Sequence, residues 1–385
     1  MTAPSARRHD LDVLRIGAFL LLIAFHLGMF YVPSDWHVKS THVTPALEPW
    51  MDALSPWRLS LLFVISGVAT RFMADKLAAG ALAAQRTRRL LIPLLCGIGF
   101  VVAPQSWAEV VEKNGYTGSF LDFWPRYLMF DQSFGIVLPT YNHLWFVAYL
   151  WSYTMIVLAA APLLPRADHW AGRVLGGAGL FVVPVLLFGL YRATAYRAWG
   201  ETHVLWADGY AHLQYGTAFL LGFLLARQDA AWALLEKARA GMLAAAVVLA
   251  VAGLTLARLG VDDLPGWPGA GCAFLREAYA WAVICTLFGY ARRYVRGGSP
   301  LLSTLNEAVF PFYIVHQTAI VLAGHLLKPL ELHVAAEVGI ILAVTVASGA
   351  AAYHLARTVP ALREPLGLKP HTRRARQVST AEKSG

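Results

Sequence analysis

The chain has 385 residues, of which 57% are hydrophobic and 14% charged, against about 25% charged in an average soluble domain. Mean hydropathy is +0.52 and the formal net charge is +9. These values exclude intrinsic disorder, which needs low hydrophobicity and high charge, and argue against a soluble enzyme; the expected class is an all-α, polytopic membrane helical bundle.

Ten apolar runs approach the ~20 residues that cross a bilayer as a helix. They cover approximately residues 13–32, 57–74, 90–105, 143–164, 174–191, 207–226, 241–259, 273–291, 301–323 and 333–356. The first is not a cleavable signal peptide, because it carries Arg15 and His26 internally and has no small-residue cleavage site. With the N-terminus placed in the cytoplasm, the inner segments hold 21 Lys and Arg and the outer ones 8. That bias favours both termini inside and reads the basic residues as topology determinants. Residues 1–12 are then a cytoplasmic N-terminus and residues 13–356 the transmembrane domain. Residues 357–385 form a basic cytoplasmic tail expected to be disordered. The longest outer segment, about residues 105–142, is rich in Trp, Tyr and Phe and reads as a loop lying in the interface as an aromatic belt or lining an outer cleft. Cys96, Cys272 and Cys285 have no metal-like spacing and read as apolar thiols.

Ionisable groups inside membrane spans are costly and mark candidate sites. Arg15 and His26 lie eleven positions apart on the first run. Eleven steps of ~100° end about 20° past three full turns, so both side chains share a face, separated by roughly 16 Å along the axis. Arg15 is thereby placed near the cytoplasmic surface and His26 beyond the midplane. The bland alternative is an arginine snorkelling to headgroups and a histidine bonded within the bundle. Thirteen histidines are present, most of them towards the outer side. Histidine is the natural acid–base group near neutral pH, and no HExxH-type pairing suggests a metal, so none is expected. In the ninth run Asn306 and Tyr313 share a face, His316 adjoins Tyr313, and Pro311 should kink the helix. A polar helix–helix seam is the alternative there. Arg86, Arg88 and Arg89 form a cluster in a cytoplasmic loop before the third run. Guanidinium groups suit phosphates, although the positive-inside rule or anionic lipid would use them equally. Ser66-Gly67 in the second run allows close helix approach.

Together these pieces resemble the membrane acyltransferase 3 family. Arg15 and His26, within Leu11-Asp-Val-Leu-Arg and Ala-Phe-His26, match its Arg-x10-His element, Arg86 and Arg89 match its Arg-x-x-Arg element, and Phe63-Val-Ile-Ser-Gly67 is family-like. The likeness extends to the glucans biosynthesis protein C branch, which succinylates osmoregulated periplasmic glucans. Trp36-His-Val-Lys-Ser40, Asn142-His-Leu-Trp-Phe146, Asn306-Glu-Ala-Val-Phe310 and Phe312-Tyr-Ile-Val-His316 carry that likeness, which covers approximately residues 10–360.

The resemblance implies transfer of an acyl group, succinyl or acetyl, from cytoplasmic acyl-CoA to a hydroxyl on an outward-facing glycan, in a bacterial inner membrane. Arg86, Arg88 and Arg89 would hold the phosphates of the donor and Arg15 would line its path. His26 would act as general base or as a covalent acyl carrier. Trp36, His37, His143 and Trp145 would form the acceptor side. Asn306, Tyr313 and His316 would orient His26 or stabilise the developing oxyanion. Three alternatives stay open. They are acetylation of a lipopolysaccharide, exopolysaccharide or small metabolite; a transporter for a small acid or acylated product; and a structural or pH-sensing protein. Transport predicts paired broken helices in two halves, and Pro311 has no evident counterpart.

Overall fold

Inside lipid, a chain segment must satisfy its own backbone hydrogen bonds, and a helix does so within one segment. The computed structural model describes residues 8–262 and 264–370, and every regular element among them is helical. In chain order the α-helices are α1 (His9–Tyr31), α2 (Glu48–Ala74), α3 (Ala79–Cys96), α4 (Ala103–Asn114), α5 (Phe120–Leu128), α6 (Trp145–Ala159), α7 (Leu164–Leu175), α8 (Gly179–Tyr191), α9 (Arg197–Trp199), α10 (Gly209–Leu225), α11 (Asp229–Arg258), α12 (Trp267–Tyr294), α13 (Pro300–Leu327) and α14 (Val334–Thr358). Two π-helical segments join α3 to α4 (Gly97–Val102) and α8 to α9 (Arg192–Tyr196).

All ten apolar runs form helix, but the expected count of ten spans is reduced. Among the described residues, eight helices are long and apolar enough to cross a membrane. Asn142–Ala159 and Ala161–Leu175 make a ninth only as a pair bent by 60°. The run at 207–226 is α10, 17 residues long, about 25 Å against a hydrocarbon core of about 30 Å. The third run extends to both sides, so helix continues from Ala79 to Asn114. The arginine cluster therefore lies within α3 and not in a loop, because only Gly80, in the first turn, interrupts a stretch of good helix formers. α13 runs through Pro311 as one helix of 28 residues.

The chain divides into two units. The first contains residues up to Trp36, His42–Ala83 and Ala148–Asn306; the second contains His37–Thr41, Ala84–Val147 and the chain from Glu307.

In the first unit, two glycines bring α2 and α10 into backbone contact. A Cβ on Gly67 would fall 2.0 Å from the Phe219 carbonyl oxygen, and one on Gly222 would fall 2.0 Å from that of Val64. This is the close approach that Ser66-Gly67 suggested, and small residues are how membrane helices achieve it. At the far end of α2, Arg71 is buried and pairs with Asp75 and Asp168, and Arg227 closes the network on the same two carboxylates. α10 starts at Asp208, whose carboxylate accepts from Ala211 N (3.2 Å) and from the Tyr149 hydroxyl (3.0 Å). That arrangement is an N-cap with a tertiary anchor.

In the second unit, much of the aromatic segment 105–142 packs on itself. Its first residues belong to α4, and α5 follows, opened by a capping box between Ser119 and Asp122. Phe123, Tyr127 and Phe134 are buried together, with Trp107, Tyr116, Phe120 and Trp124 packed on them. The rings thus bury one another, which contributes more than scattered interfacial placement would. The π-helical segment explains where three of the polar groups go. Tyr127 Oη donates to the Ile98 carbonyl (3.0 Å), Trp124 Nε1 to that of Gly99 (2.8 Å) and Thr318 Oγ1 to that of Val101 (2.7 Å). The wide turn leaves carbonyls out of the α ladder, and side chains take them up. In the same segment the backbone N–H of Ser133, with help from Arg126, holds the Asp131 carboxyl down to about 2. Residues 359–370 are ordered: Leu368 is buried, Glu364 pairs with Arg88, and Pro360–Leu362 forms a 3-10 turn. The remainder of the expected disordered tail, 371–385, lies outside the described residues.

Candidate functional site

α1 carries the first group of site residues, all in the first unit. Acidic Asp10 and Asp12 occupy its first turn, where the helix dipole favours negative charge. Arg15 is half-buried, and its Nη1 donates to Oδ1 of Asn306 at 3.1 Å. His26, also half-buried, has its ring stacked near-parallel on Trp36, with centroids 6.4 Å apart and planes at 24°. Phe25 meets the same imidazole edge-on at 6.1 Å. The structure therefore joins Arg15 to Asn306 and His26 to Trp36. Asn306, expected to orient His26 or an oxyanion, accepts from Arg15 through Oδ1.

A residue without a role in the sequence reading stands in this group. Arg58 of α2 is 5% exposed, and its guanidinium lies 3.4 Å above the centroid of Phe25. Among the described residues, its Nε and Nη1 have no hydrogen-bond partner. A buried cation stacked on an aromatic face is stabilised by the ring quadrupole, but unsatisfied N–H groups remain costly. The signal in the sequence was a single arginine at the start of an apolar run.

The second unit holds the remaining candidates. His37 Nδ1 donates to Glu109 Oε2 at 2.6 Å, and His37 Nε2 accepts from the Gln317 amide at 2.9 Å. Gln317 also donates to Gln105 Oε1 (3.0 Å), and Gln105 donates to Thr318 Oγ1 (3.1 Å). The carboxylate fixes which imidazole nitrogen carries the proton. Lys113 closes on the other Glu109 oxygen at 3.2 Å. Glu109, Gln105 and Gln317 had no place in the sequence reading; the signal for the two glutamines was a polar side chain inside an apolar run, whereas Glu109 lies in the outer segment 105–142. His143, Tyr313 and His316 form a separate buried cluster with ring centroids 5.1–5.8 Å apart. Tyr313 donates its hydroxyl to the His143 carbonyl, His143 Nε2 donates to the Ile314 carbonyl (3.0 Å), and His316 Nδ1 donates to that of Tyr313 (2.7 Å). Its polar atoms are largely spent on backbone, so this cluster fixes α13 against the start of α6. Trp145 is buried nearby in sequence, on the first residue of α6.

On α3, Arg86 and Arg89 are three positions apart and share a face; Arg86 is buried and Arg89 half-buried. Arg88 points elsewhere, is exposed, and holds Glu364 through Nη2 at 2.7 Å. The cluster is therefore a pair plus a separately engaged residue.

The family described as "Acyltransferase domain" (Acyl_transf_3) matches residues 8–354. Glucans biosynthesis protein C of Shigella dysenteriae serotype 1 is 29% identical over 147 residues, covering 38% of this chain and 37% of the relative. The proteins of that name from Escherichia coli O6:K15:H31 and K12 are 28% and 27% identical over the same length and shares. The matched region thus spans little more than a third of these relatives. No solved structure matches the chain. With a family match over residues 8–354 and helices long and apolar enough to cross a membrane, the chain belongs to the acyltransferase 3 family of membrane acyltransferases.

Proposed function

We propose that the chain moves an acyl group, succinyl or acetyl, from cytoplasmic acyl-CoA to a hydroxyl group of a periplasmic glucan or another glycan. The observation that carries this reading is α1: Arg15 and His26 share one helix face, with Arg15 held by Asn306 and His26 braced by Trp36. The relatives' printed name, glucans biosynthesis protein C, supports a glucan acceptor.

In the proposed reaction the imidazole of His26 takes the proton of the acceptor hydroxyl as its oxygen attacks the thioester carbonyl. The tetrahedral intermediate collapses, the C–S bond breaks, and the proton passes from His26 to the CoA sulfur. The products are an ester and free CoA. Cationic groups stabilise the negative charge that develops on the carbonyl oxygen, and Arg58, one α-helical neighbour from His26 through Phe25, is suited to supply that charge. Arg86 and Arg89 bind donor phosphates as a pair, and Arg88 joins them only on release from Glu364. His37, polarised by Glu109, belongs with Trp36 to the acceptor side. The location is a bacterial inner membrane, with both termini in the cytoplasm.

Acetylation of a lipopolysaccharide, an exopolysaccharide or a small metabolite keeps the same chemistry with another acceptor. A transporter has less support, because α13 is unbroken at Pro311 and transport gives no role to a guanidinium pair on α3. The test uses purified protein in lipid, with radiolabelled acetyl-CoA and succinyl-CoA offered separately, with and without glucan. Label appearing in glucan from one donor supports the reading and names the acyl group. Absence of donor turnover under every condition contradicts it.

A further inference from the structure

Apart from the α1 group, the first unit contains a cavity of about 810 Å³, within the range of small-molecule sites. It lies where several helices begin or end: Asp52 near the start of α2, Arg192 just after α8, Asp262 between α11 and α12, and Arg276 in the third turn of α12. Trp267, the first residue of α12, is exposed, as are Trp199 at the end of α9 and Trp206 just before α10. Such tryptophans mark the level of the lipid headgroups.

Two kinds of charge face this cavity. Arg192 stacks on Tyr196 with its guanidinium 3.7 Å from the ring centroid and makes one long bond, 3.5 Å, to the Tyr210 hydroxyl. Arg276 has a buried Nε that no described group satisfies. Arg197 adds a third guanidinium over the first turn of α12. A Cβ on Gly269 would fall 2.0 Å from Arg197 Nη2, so glycine there makes room for it. Asp52 and Asp262 provide carboxylates to the same space, and both lie within electrostatic range of each other. Guanidinium groups with spare N–H donors recognise phosphate; carboxylates beside them recognise an ammonium group.

The remaining wall is apolar. Leu249, Gly253 and Leu256 of α11 line the cavity, and from Arg258 back to Leu249 the helix falls about 13 Å away from the charged end. α11 is the least covered of the spans: 6% of its apolar window is buried. A charged mouth at headgroup level, continued by an uncovered apolar groove, has the polarity of a phospholipid.

We propose that this cavity binds a zwitterionic phospholipid bearing a phosphoethanolamine head. Its phosphate is held by Arg192 and Arg276, its ammonium by Asp52 and Asp262, and one acyl chain lies along α11. The proposal is independent of the acyl-transfer reading. It separates three common lipids by chemistry. Phosphatidylglycerol lacks the ammonium. The quaternary nitrogen of phosphatidylcholine cannot donate a hydrogen bond. Phosphatidylethanolamine satisfies both sets of residues.

The test is native mass spectrometry of the purified full chain, released from detergent containing each of the three lipids with identical acyl chains. Phosphatidylethanolamine should be retained roughly tenfold over the other two, the scale of one charge-assisted hydrogen bond. Arg192→Ala with Arg276→Ala should lower retention of all three lipids, because each carries the phosphate. Asp52→Asn with Asp262→Asn should remove the advantage over phosphatidylglycerol. Ala250→Phe leaves every charged group in place and narrows the apolar wall; it should lower retention even if the arginine variants fail to fold. Equal retention of the three lipids overturns the proposal. Soluble glycerophosphoethanolamine bound as tightly as the lipid, with Ala250→Phe without effect, also overturns it, because the site would then take a free headgroup.

Discussion

Arg15 and Asn306 are 291 positions apart, and a hydrogen bond of 3.1 Å from Nη1 to Oδ1 joins them. The bond ties the entry of α13 to the face of α1 that also carries His26. Asn306→Ala should therefore lower acyl transfer through Arg15. A hydrogen bond to a charged group is worth about 1.5–3 kcal/mol, so the donor kcat/KM should fall roughly ten- to a hundredfold. Initial rates against donor concentration measure this. Arg15→Ala in the Asn306→Ala background should add little, since paired residues are not additive.

Glu109 holds the His37 ring in one tautomer through a 2.6 Å bond. Glu109→Gln keeps the shape but places a neutral amide where His37 donates. The expected effect is a rise in acceptor KM with donor KM unchanged. Bisubstrate kinetics check it; equal effects on both would assign Glu109 a structural role only.

Gly67 and Gly222 are the contact points of α2 and α10. Alanine at either position meets backbone carbonyl, which cannot rotate away. Each substitution should destabilise the protein by about 1–3 kcal/mol, as overpacking does. The pair should cost less than the sum because both act on one seam. Thermal unfolding in detergent reports the effect.

Arg86→Ala with Arg89→Ala should weaken donor binding more than acceptor binding. Arg88→Ala should have a smaller effect, because Arg88 is exposed and engaged with Glu364, and exposed ion pairs contribute little. Titration of acyl-CoA against the purified variants distinguishes them, and an unchanged donor affinity in the double variant returns the cluster to a topology role.

Much of this architecture could be read from hydropathy alone. The ten apolar runs are all helical, because a run of ~20 apolar residues has few alternatives in lipid. Their number as spans was less legible: α10 is shorter than its run suggested, and the pair at 142–175 bends. The mutual packing within the aromatic segment 105–142 was not legible, because Tyr127 and Trp124 are anchored on the carbonyls of Ile98 and Gly99, which no local pattern reveals. The Arg15–His26 pair was legible because both residues sit on one helix at a fixed spacing. The partners that complete the sites were not: Glu109 is 72 positions from His37, and Gln317 is 280 positions away. Arg58 shows the limit from the other side, since a lone arginine at a span edge looks the same whether it reaches water or stacks, buried, on Phe25.

In the proposed reaction His26 is the base for acyl transfer. The most direct test compares wild type and His26→Ala in lipid, following label from acyl-CoA into glucan, with unfolding temperature and membrane insertion as controls. Transfer should fall by about two to four orders of magnitude, the usual contribution of a positioned base, while insertion and unfolding temperature stay near wild type. Full transfer by a properly inserted His26→Ala protein would contradict the account.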